Sequence, residues 1–391
     1  MVGPFGLRPK GTMAVRALPL AQALTRRGHT VGLFVPPWSY PADAGRMWDE
    51  DGVRIDNTAI SPRTLITPRL VQRVRGWSPD VIHFFKPKAY SGLAAWLLWY
   101  LRRAGIGRAR LVLDTDDWEG AGGWNDLENY SALQKVFFAW QEQWGLRHCD
   151  ALTVASRALE TIAWSLGIPR ARVHYLPYGL TPFATRAGDA RATVRAELGL
   201  SDAPLALLYT RFFEFRVERL VEIFARIRQL APGAHLLVVG KGLFGEEEKL
   251  RALAESRALA AHITNVGWVE ADRLPGYFAA ADVAIYPFDD TLVNRTKCIV
   301  KLGDLLAAGV PVVAEAVGQN QEYIAHNESG ILTSPGGVEE FACAAARLLQ
   351  DAERRARLGR NAAARMARDY NWDRLCQVAE TAYGQSLNTE G

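Results

Sequence analysis

Only four of the 391 residues are cysteine (Cys149, Cys298, Cys343 and Cys376), and no two stand at the spacing of a metal-ligand pair. That excludes a zinc ribbon and a disulfide scaffold, and it fits a reducing cytosol. No run of about 18 uninterrupted apolar residues exists, so no helix is expected to span a membrane. The N-terminus lacks the basic-then-apolar pattern of a secretory signal. Net charge is also small, with 46 Lys and Arg against 42 Asp and Glu, too little to demand a nucleic-acid partner. Internal repeats and low-complexity segments are absent. What remains is an ordinary globular composition, 49% hydrophobic and 23% charged, in a chain long enough for two domains. A cytoplasmic protein of two α/β domains is the expectation.

The charge is unevenly spread. Residues 1–185 hold 22 Lys and Arg against 15 Asp and Glu, whereas the remainder holds 24 against 27. Ten of the twelve tryptophans, from Trp38 to Trp164, lie in the basic half. Two halves with different tasks would explain this, as would a large aromatic core in an Arg-rich chain.

Short runs rich in Val, Ile and Leu alternate with amphipathic helical stretches. The first half offers HTVGLFVP (29–36), DVIHFF (80–85), RLVLDTDD (110–117), DALTVAS (150–156) and VHYLPYG (173–179). The second offers LALLYTR (205–211), HLLVVGKG (235–242), ITNVGWV (263–269), VAIYPFD (283–289) and PVVAEAV (311–317). Strands of this kind separated by helices imply parallel sheets buried on both faces. A Pro/Thr/Gly/Ala-rich stretch near 180–204 joins the two series. The expected fold is therefore two doubly wound domains, with ligands at the carboxyl ends of the strands and the cleft between the domains as the default site. Gly28 caps the first helix, and Pro19 kinks it. The opening MVGPFG leaves room for only a very short first strand, or marks a start site placed late. The tail 337–384 reads as helical.

Several segments carry chemistry. KLGDLLAAGVPVV (301–313) reads as a helix bearing one carboxylate, Asp304, stopped at Gly309 and followed by a buried strand. A carboxylate there suits two vicinal ribose hydroxyls, or simply a favourable helix N-terminus. DTDDW (114–118) clusters three carboxylates at a strand end; they repel one another and raise one pKa unless a cation intervenes. Asp116 is the candidate to orient or deprotonate an acceptor hydroxyl, and the cluster is a conceivable cation site. GPFGLRPKGT (3–12) is a Gly-rich loop before a helix, where Gly11 and its neighbours suit phosphate oxygens or merely a turn. His83 is a cleft candidate or, more plainly, a packed strand histidine. AAWLLWYLRRAGIGRAR (94–110) suits a lipid interface or a buried helix with a solvated Arg-rich end.

The segment 301–313 resembles the signature of retaining glycosyltransferases of family 4 (group 1), in the GT-B fold. The resemblance extends over nearly the whole chain: PYGL (177–180), VGKG (239–242), LPGYFAAADVAIYP (274–287) and AVGQNQEYIAHNESGILTSP (316–335) follow in the family's order. It implies two Rossmann-like domains with parallel sheets facing a central cleft. Residues 1–182, with a C-terminal crossover helix at 371–391, would bind the acceptor, and residues 183–370 the nucleotide sugar. It also implies a diphosphate clamp, Arg211 with Arg216 where the family usually has Lys. A leaving diphosphate gains charge as the sugar bond breaks, so converging cations there stabilise the transition state. Donor contacts are implied for Gly11, Gly240, Gly242, Thr296, Lys297, Lys301, Asp304 and Glu322. No metal and no cofactor beyond the nucleotide-sugar co-substrate are implied.

The chain departs from the family pattern in two places. The family's E-x7-E pair becomes Thr296 and Asp304, so the acid that touches the donor sugar is replaced, and Lys297 and Lys301 stand nearby. Tyr178 replaces the usual Asn of the Pro-Asn-Gly turn, a change expected to act mainly through the backbone. The expected activity is transfer of a sugar to a hydroxyl of a glycan, lipid or small molecule, with peripheral contact at the inner face of a membrane as a further possibility. Its rivals are a nucleotide-sugar epimerase and a non-catalytic nucleotide-sugar-binding subunit.

Overall fold

A computed structural model describes residues 1–9, 11–180, 190–200 and 203–388. Lys10 and, within the 180–204 joining stretch, residues 181–189 and 201–202 lie outside the described residues. Two compact units emerge, one drawn from residues 1–181, 296–298 and 370–391 and the other from 182–295 and 299–369. The segment 296–298 thus groups with the first unit, although the sequence places it in the second domain.

The first unit contains strands β1 (Gly32–Val35), β2 (Met47–Glu50), β3 (Val53–Asn57), β4 (Val81–Phe85), β5 (Arg110–Thr115), β6 (Ala151–Val154) and β7 (Val173–Tyr175). They form the runs β1-β3-β2 and β4-β5-β6-β7. Val2 joins the two, bridging in parallel to Phe34 and to Phe84. Its N–H donates to the His83 carbonyl and its carbonyl accepts from the Phe85 N–H, both at 2.8 Å. One fully buried residue therefore serves as the very short first strand.

One expectation needs correction: this sheet is not wholly parallel. β2 runs antiparallel to β3. The turn between them is Asp51-Gly52, with φ of 48° and 80°. Both residues are left-handed, which matches the hand of a tight hairpin.

The first helical pattern divides near Pro19. A π-helical turn, Met13–Ala17, passes into the helix Leu18–Arg26, with the proline in its first turn. Proline has no N–H to continue the ladder. Gly28, at φ +96°, closes the end, where the His29 N–H returns to the Leu24 carbonyl at 3.2 Å. The helix Trp372–Asn388 belongs to this unit and packs on Leu18–Arg26 and on β5, β6 and β7.

The second unit is wholly parallel: β8 (Leu205–Tyr209), β9 (His235–Val239), β10 (Ile263–Gly267), β11 (Val283–Tyr286), β12 (Val312–Glu315) and β13 (Ile331–Thr333), in the order β10-β9-β8-β11-β12-β13. β8, β9, β11 and β12 are buried along their whole length, as strands covered on both faces must be. Phe224 and Phe341, from the helices Val217–Leu230 and Val338–Gln350, fill the core against one face.

Strand order reverses in each sheet. In the second unit the chain moves outward from β8 through β9 to β10, then returns to β8's other side as β11. The first sheet reverses likewise about Val2, between β1 and β4. In sheets of this class ligands bind at the carboxyl ends beside such a reversal.

Candidate functional site

At the reversal in the second unit, β8 ends in Tyr209 and leads into the loop 210–216. Inside the loop, Thr210 Oγ accepts from the Phe212 N–H at 2.7 Å and pairs with Glu214 Oε2 at 3.1 Å. Asn294 donates to the carbonyls of Glu214 and Asp289, at 2.7 and 2.8 Å, so this loop is tied to the one after β11. Both clamp candidates, Arg211 and Arg216, are exposed on it. The Arg216 N–H donates to Asp289 at 2.9 Å as it caps the helix Val217–Leu230, while its side chain is 75% exposed. Asp289 is in turn held at 2.6 Å by Arg219, and Arg219 grips the fully buried Glu315 through bonds of 2.6 and 2.8 Å. Glu315 also accepts from the N–H groups of Phe288 and Gly336, each at 2.6 Å. This buried network fixes the backbone that carries the exposed arginines.

The helix Val300–Ala307 brings Lys301 and Asp304 to the same sheet end. The Lys301 ammonium lies 3.5 Å above the Tyr209 ring, and Asp304 is largely buried. Burial, and then the charge of Asp304, push the Tyr209 hydroxyl well above its ordinary range. Tyr286, closing β11, is buried beside Phe288, and its hydroxyl has no hydrogen-bond partner among the described residues. Burial raises it, followed by Glu214, Tyr209 and Asp304. Sequence reasoning missed Tyr209, Tyr286 and Glu315. The available signal was a tyrosine ending each of two buried strands that flank the reversal.

The Gly240 loop differs from expectation. At φ +129° a Cβ on Gly240 would lie 1.9 Å from the Thr210 carbonyl oxygen, so the glycine permits close approach of two loops. The Gly242 N–H already donates to Glu247 at 2.8 Å, and the Phe244 N–H to Glu246 at 2.8 Å. Three glutamates occupy the first turn of the helix Glu246–Ser256. That carboxylate-rich end opposes rather than attracts a phosphate. The Gly242 N–H is thus engaged within its own loop. Glu322 sits half-buried on the short helix Asn320–Tyr323, and its carbonyl accepts from Arg365 at 3.1 Å. Thr296 is buried and Lys297 half-buried, both within the segment that groups with the first unit.

In the first unit a compact charge cluster stands at the sheet reversal. Lys86 reaches Asp116 at 2.9 Å, Asp117 at 2.8 Å and Glu119 at 3.4 Å, and Lys88 reaches Glu119 at 2.8 Å. Thr12, just after Gly11, donates to Asp116 at 2.7 Å, while the Gly11 carbonyl accepts from the Ala14 and Val15 N–H groups. Burial resists the charge of Asp116, but Lys86, Arg16 and the bonds from Thr12 and Lys86 outweigh it and hold the carboxyl below its usual range. For Asp117 burial wins over Lys86, and the carboxyl rises. The chain's own cations therefore outweigh the repulsion at Asp116, while the charges of Asp116 and Glu119 still add to the rise at Asp117. A buried, ion-paired and weakly basic Asp116 suits the orienting half of its expected role better than the deprotonating half. Glu142 lies behind the cluster, fully buried; burial, then Glu119, push it up to about 8.

His83 is a packed strand residue, 2.8 Å from the Tyr383 hydroxyl and 3.1 Å from Thr153, with burial lowering its pKa. Tyr178 acts through its ring rather than only its backbone. It packs edge-on against Trp372, with centroids 6.2 Å apart, and Gly179 leaves the room that the same tryptophan fills.

Residues 204–351 match the family described as glycosyl transferases group 1, and residues 11–179 match the glycosyl transferase 4-like domain. In sequence the chain is similar to the GDP-mannose-dependent alpha-(1-6)-phosphatidylinositol monomannoside mannosyltransferase of Mycobacterium tuberculosis. The two are 28% identical over 361 residues, which covers 89% of this chain and 88% of the relative. In fold it is similar to sucrose-phosphate synthase from Thermosynechococcus elongatus, with a TM-score of 0.73 at 22% identity over 98% of each chain. The catalytic domain of starch synthase IV from Arabidopsis thaliana, bound to ADP and acarbose, gives a TM-score of 0.74 at 15% identity, covering 99% of this chain and 98% of that one.

Proposed function

From the premise that the chain belongs to the group 1, family 4-like glycosyltransferases of the GT-B fold, we propose that it transfers a sugar from a nucleotide-diphosphate sugar to an acceptor hydroxyl with retention of configuration. One observation carries the reading. Two exposed arginines follow β8 at the sheet reversal, while Lys301 and Asp304 meet the last residue of that same strand. A nucleoside diphosphate needs both kinds of partner, cations for its phosphates and a carboxylate for its ribose.

In this reading Arg211 and Arg216 hold the diphosphate and Asp304 the ribose. Lys297 and Lys301 supply further positive charge to the donor, with Thr296, Gly11, Gly240 and Glu322 shaping its surroundings. The first unit takes the acceptor beside Asp116. Binding energy realised as the phosphate gains charge accelerates the chemical step. The reaction uses no metal and no resident cofactor, since charge on the leaving group is met by arginine and lysine. The Mycobacterium tuberculosis relative is named for a phosphatidylinositol-linked acceptor. That name supports a lipid-borne hydroxyl among glycan, lipid and small-molecule acceptors, and with it peripheral contact of a cytoplasmic enzyme at the inner face of the membrane. Among the described residues no helix is long and apolar enough to cross a membrane.

A thermal-shift screen of GDP, UDP and ADP with their sugars tests the donor. A ligand at 100 times its Kd stabilises by about 2.7 kcal/mol. Product analysis then separates transfer from epimerisation, which would release a changed nucleotide sugar with no acceptor. A screen in which no nucleotide or nucleotide sugar shifts the melting temperature overturns the reading.

A further inference from the structure

Of two neighbouring helices of the first unit, Ala132–Arg147 buries mainly small or polar residues and turns large apolar ones outward, while Ala89–Arg103 sends Leu98 into the core and exposes two rings. The second helix buries Gln141, Glu142, Gly145 and Leu146. Its opposite side carries Leu133 at 80% exposure, Val136 at 68%, and the exposed rings of Phe137 and Trp140. The spacing i, i+3, i+4, i+7 places all four on one face. The first helix adds exposed Trp96 and Tyr100, one turn apart.

The rings form a continuous chain across both helices. Trp96 meets Tyr100 at 4.8 Å and Tyr100 meets Trp99 at 4.8 Å. Trp99 then meets Trp144 at 5.6 Å, Trp144 meets Trp140 at 6.2 Å, and Trp140 stacks on Phe137 at 5.8 Å. A contiguous aromatic and aliphatic face of this kind marks an interaction surface.

The charges around it say what covers it. The helix Ala89–Arg103 has no acidic residue, and the single acid of Ala132–Arg147 is the fully buried Glu142. Neither helix shows water a carboxylate. Cations border the face: Arg103 lies 4.9 Å over the Trp99 ring, and the exposed Arg147, two turns after Trp140, stands on the same side of its helix. Indole and phenol rings settle at the headgroup level of a bilayer, aliphatic side chains lie beneath them, and Arg and Lys meet lipid phosphates.

We propose that the outward face of the helices Ala132–Arg147 and Ala89–Arg103 is a docking surface for an anionic lipid bilayer, with Leu133, Val136, Phe137 and Trp140 entering the interface. This deepens the peripheral contact proposed above and rests on it. The face begins beside the charge cluster. Phe138, next to Phe137, lies 5.2 Å from the ammonium of Lys88, which holds Glu119. A hydroxyl presented at the bilayer surface thus lies next to the acceptor side of the first unit.

Flotation of the full-length protein with phosphatidylcholine vesicles, alone or mixed with phosphatidylglycerol, tests the surface. The wild type floats with the mixed vesicles at low salt and stays behind with the neutral ones. Leu133→Gln combined with Val136→Gln removes apolar surface without adding charge and weakens binding about tenfold or more. Its melting temperature stays that of the wild type, because both positions are exposed. Leu65→Gln, an exposed apolar site elsewhere in the same unit, leaves flotation unchanged. If the wild type floats with neither vesicle, the membrane reading itself fails. If the wild type floats and the double variant floats equally well, membrane contact stands but this face is not its seat. If the double variant instead only shifts the protein from dimer to monomer in light scattering, the face is covered by a second copy, and the lipid assignment is overturned.

Discussion

Arg16 holds Asp114 through two hydrogen bonds of 2.8 and 2.6 Å, with both side chains sealed from solvent. The guanidinium also donates to the carbonyls of Leu176 and Pro177, at 2.7 and 3.2 Å, and Thr153 donates to Asp114 at 2.6 Å. One buried pair thereby ties the first helical segment, β5 and the end of β7 together. Asp114→Asn leaves an uncompensated buried guanidinium, and we expect a loss of about 3–5 kcal/mol in urea unfolding. Arg16→Met combined with Asp114→Leu removes both charges and should recover much of that loss. A single variant as stable as the wild type would show that the pair contributes little.

Much of this architecture is readable in the residues. Continuous Val/Ile/Leu strands such as LALLY and HLLVV specify burial on both faces by composition alone, and they lie where expected as β8 and β9. The β2–β3 hairpin escaped because MWDE is half exposed and weakly apolar, although Asp51-Gly52 signalled the turn. Glu315 escaped because its partner Arg219 is 96 residues away, a distance no local pattern spans. The cluster at Asp116 was legible only as repulsion, since the cations that counter it, Lys86 and Lys88, stand on another strand end. The stripe Leu133–Trp140 escaped because its spacing is equally that of a core-facing helix, and only exposure tells the two apart.

Glu142 gives the fold a pH dependence whose sign is fixed. Its folded-state pKa is raised to about 8 from an ordinary value of 4.5, so the folded protein keeps a proton that the unfolded chain releases. The resulting stability is fully present below about 4.5 and is lost as pH rises through about 8, at roughly 1.4 kcal/mol per pH unit between the two. Glu142→Gln should therefore flatten the fall in melting temperature between pH 6 and pH 8. Parallel wild-type and variant curves would show that Glu142 titrates elsewhere.

Asp304 should hold the donor's ribose. Asp304→Asn keeps the shape and removes charge-assisted bonds worth about 1.5–3 kcal/mol. The KM for the nucleotide sugar should rise about tenfold or more while the melting temperature without ligand stays near the wild-type value. Unchanged donor affinity would take the residue out of the site.

Arg211 and Arg216 should act mainly on turnover. Both follow β8 on a loop held by Asn294 and by the Asp289–Arg219–Glu315 network, so their backbone is fixed while their side chains reach solvent. A diphosphate gains negative charge as the sugar departs, and cations already in place gain interaction energy at that moment. Removing one such group costs about 10²–10³ in rate, or about 2.7–4 kcal/mol. Arg211→Ala should be the most damaging change and Arg216→Ala the next. Arg216→Lys restores the residue usual in the family and keeps much of the activity, although a point charge replaces a planar fork. Steady-state kinetics with a matched donor and acceptor check the series, with kcat falling more than KM rises. Normal turnover in Arg211→Ala would remove that residue from the site. It would also weaken the placement of Asp304, because both assignments depend on the carboxyl end of β8 being the donor's seat.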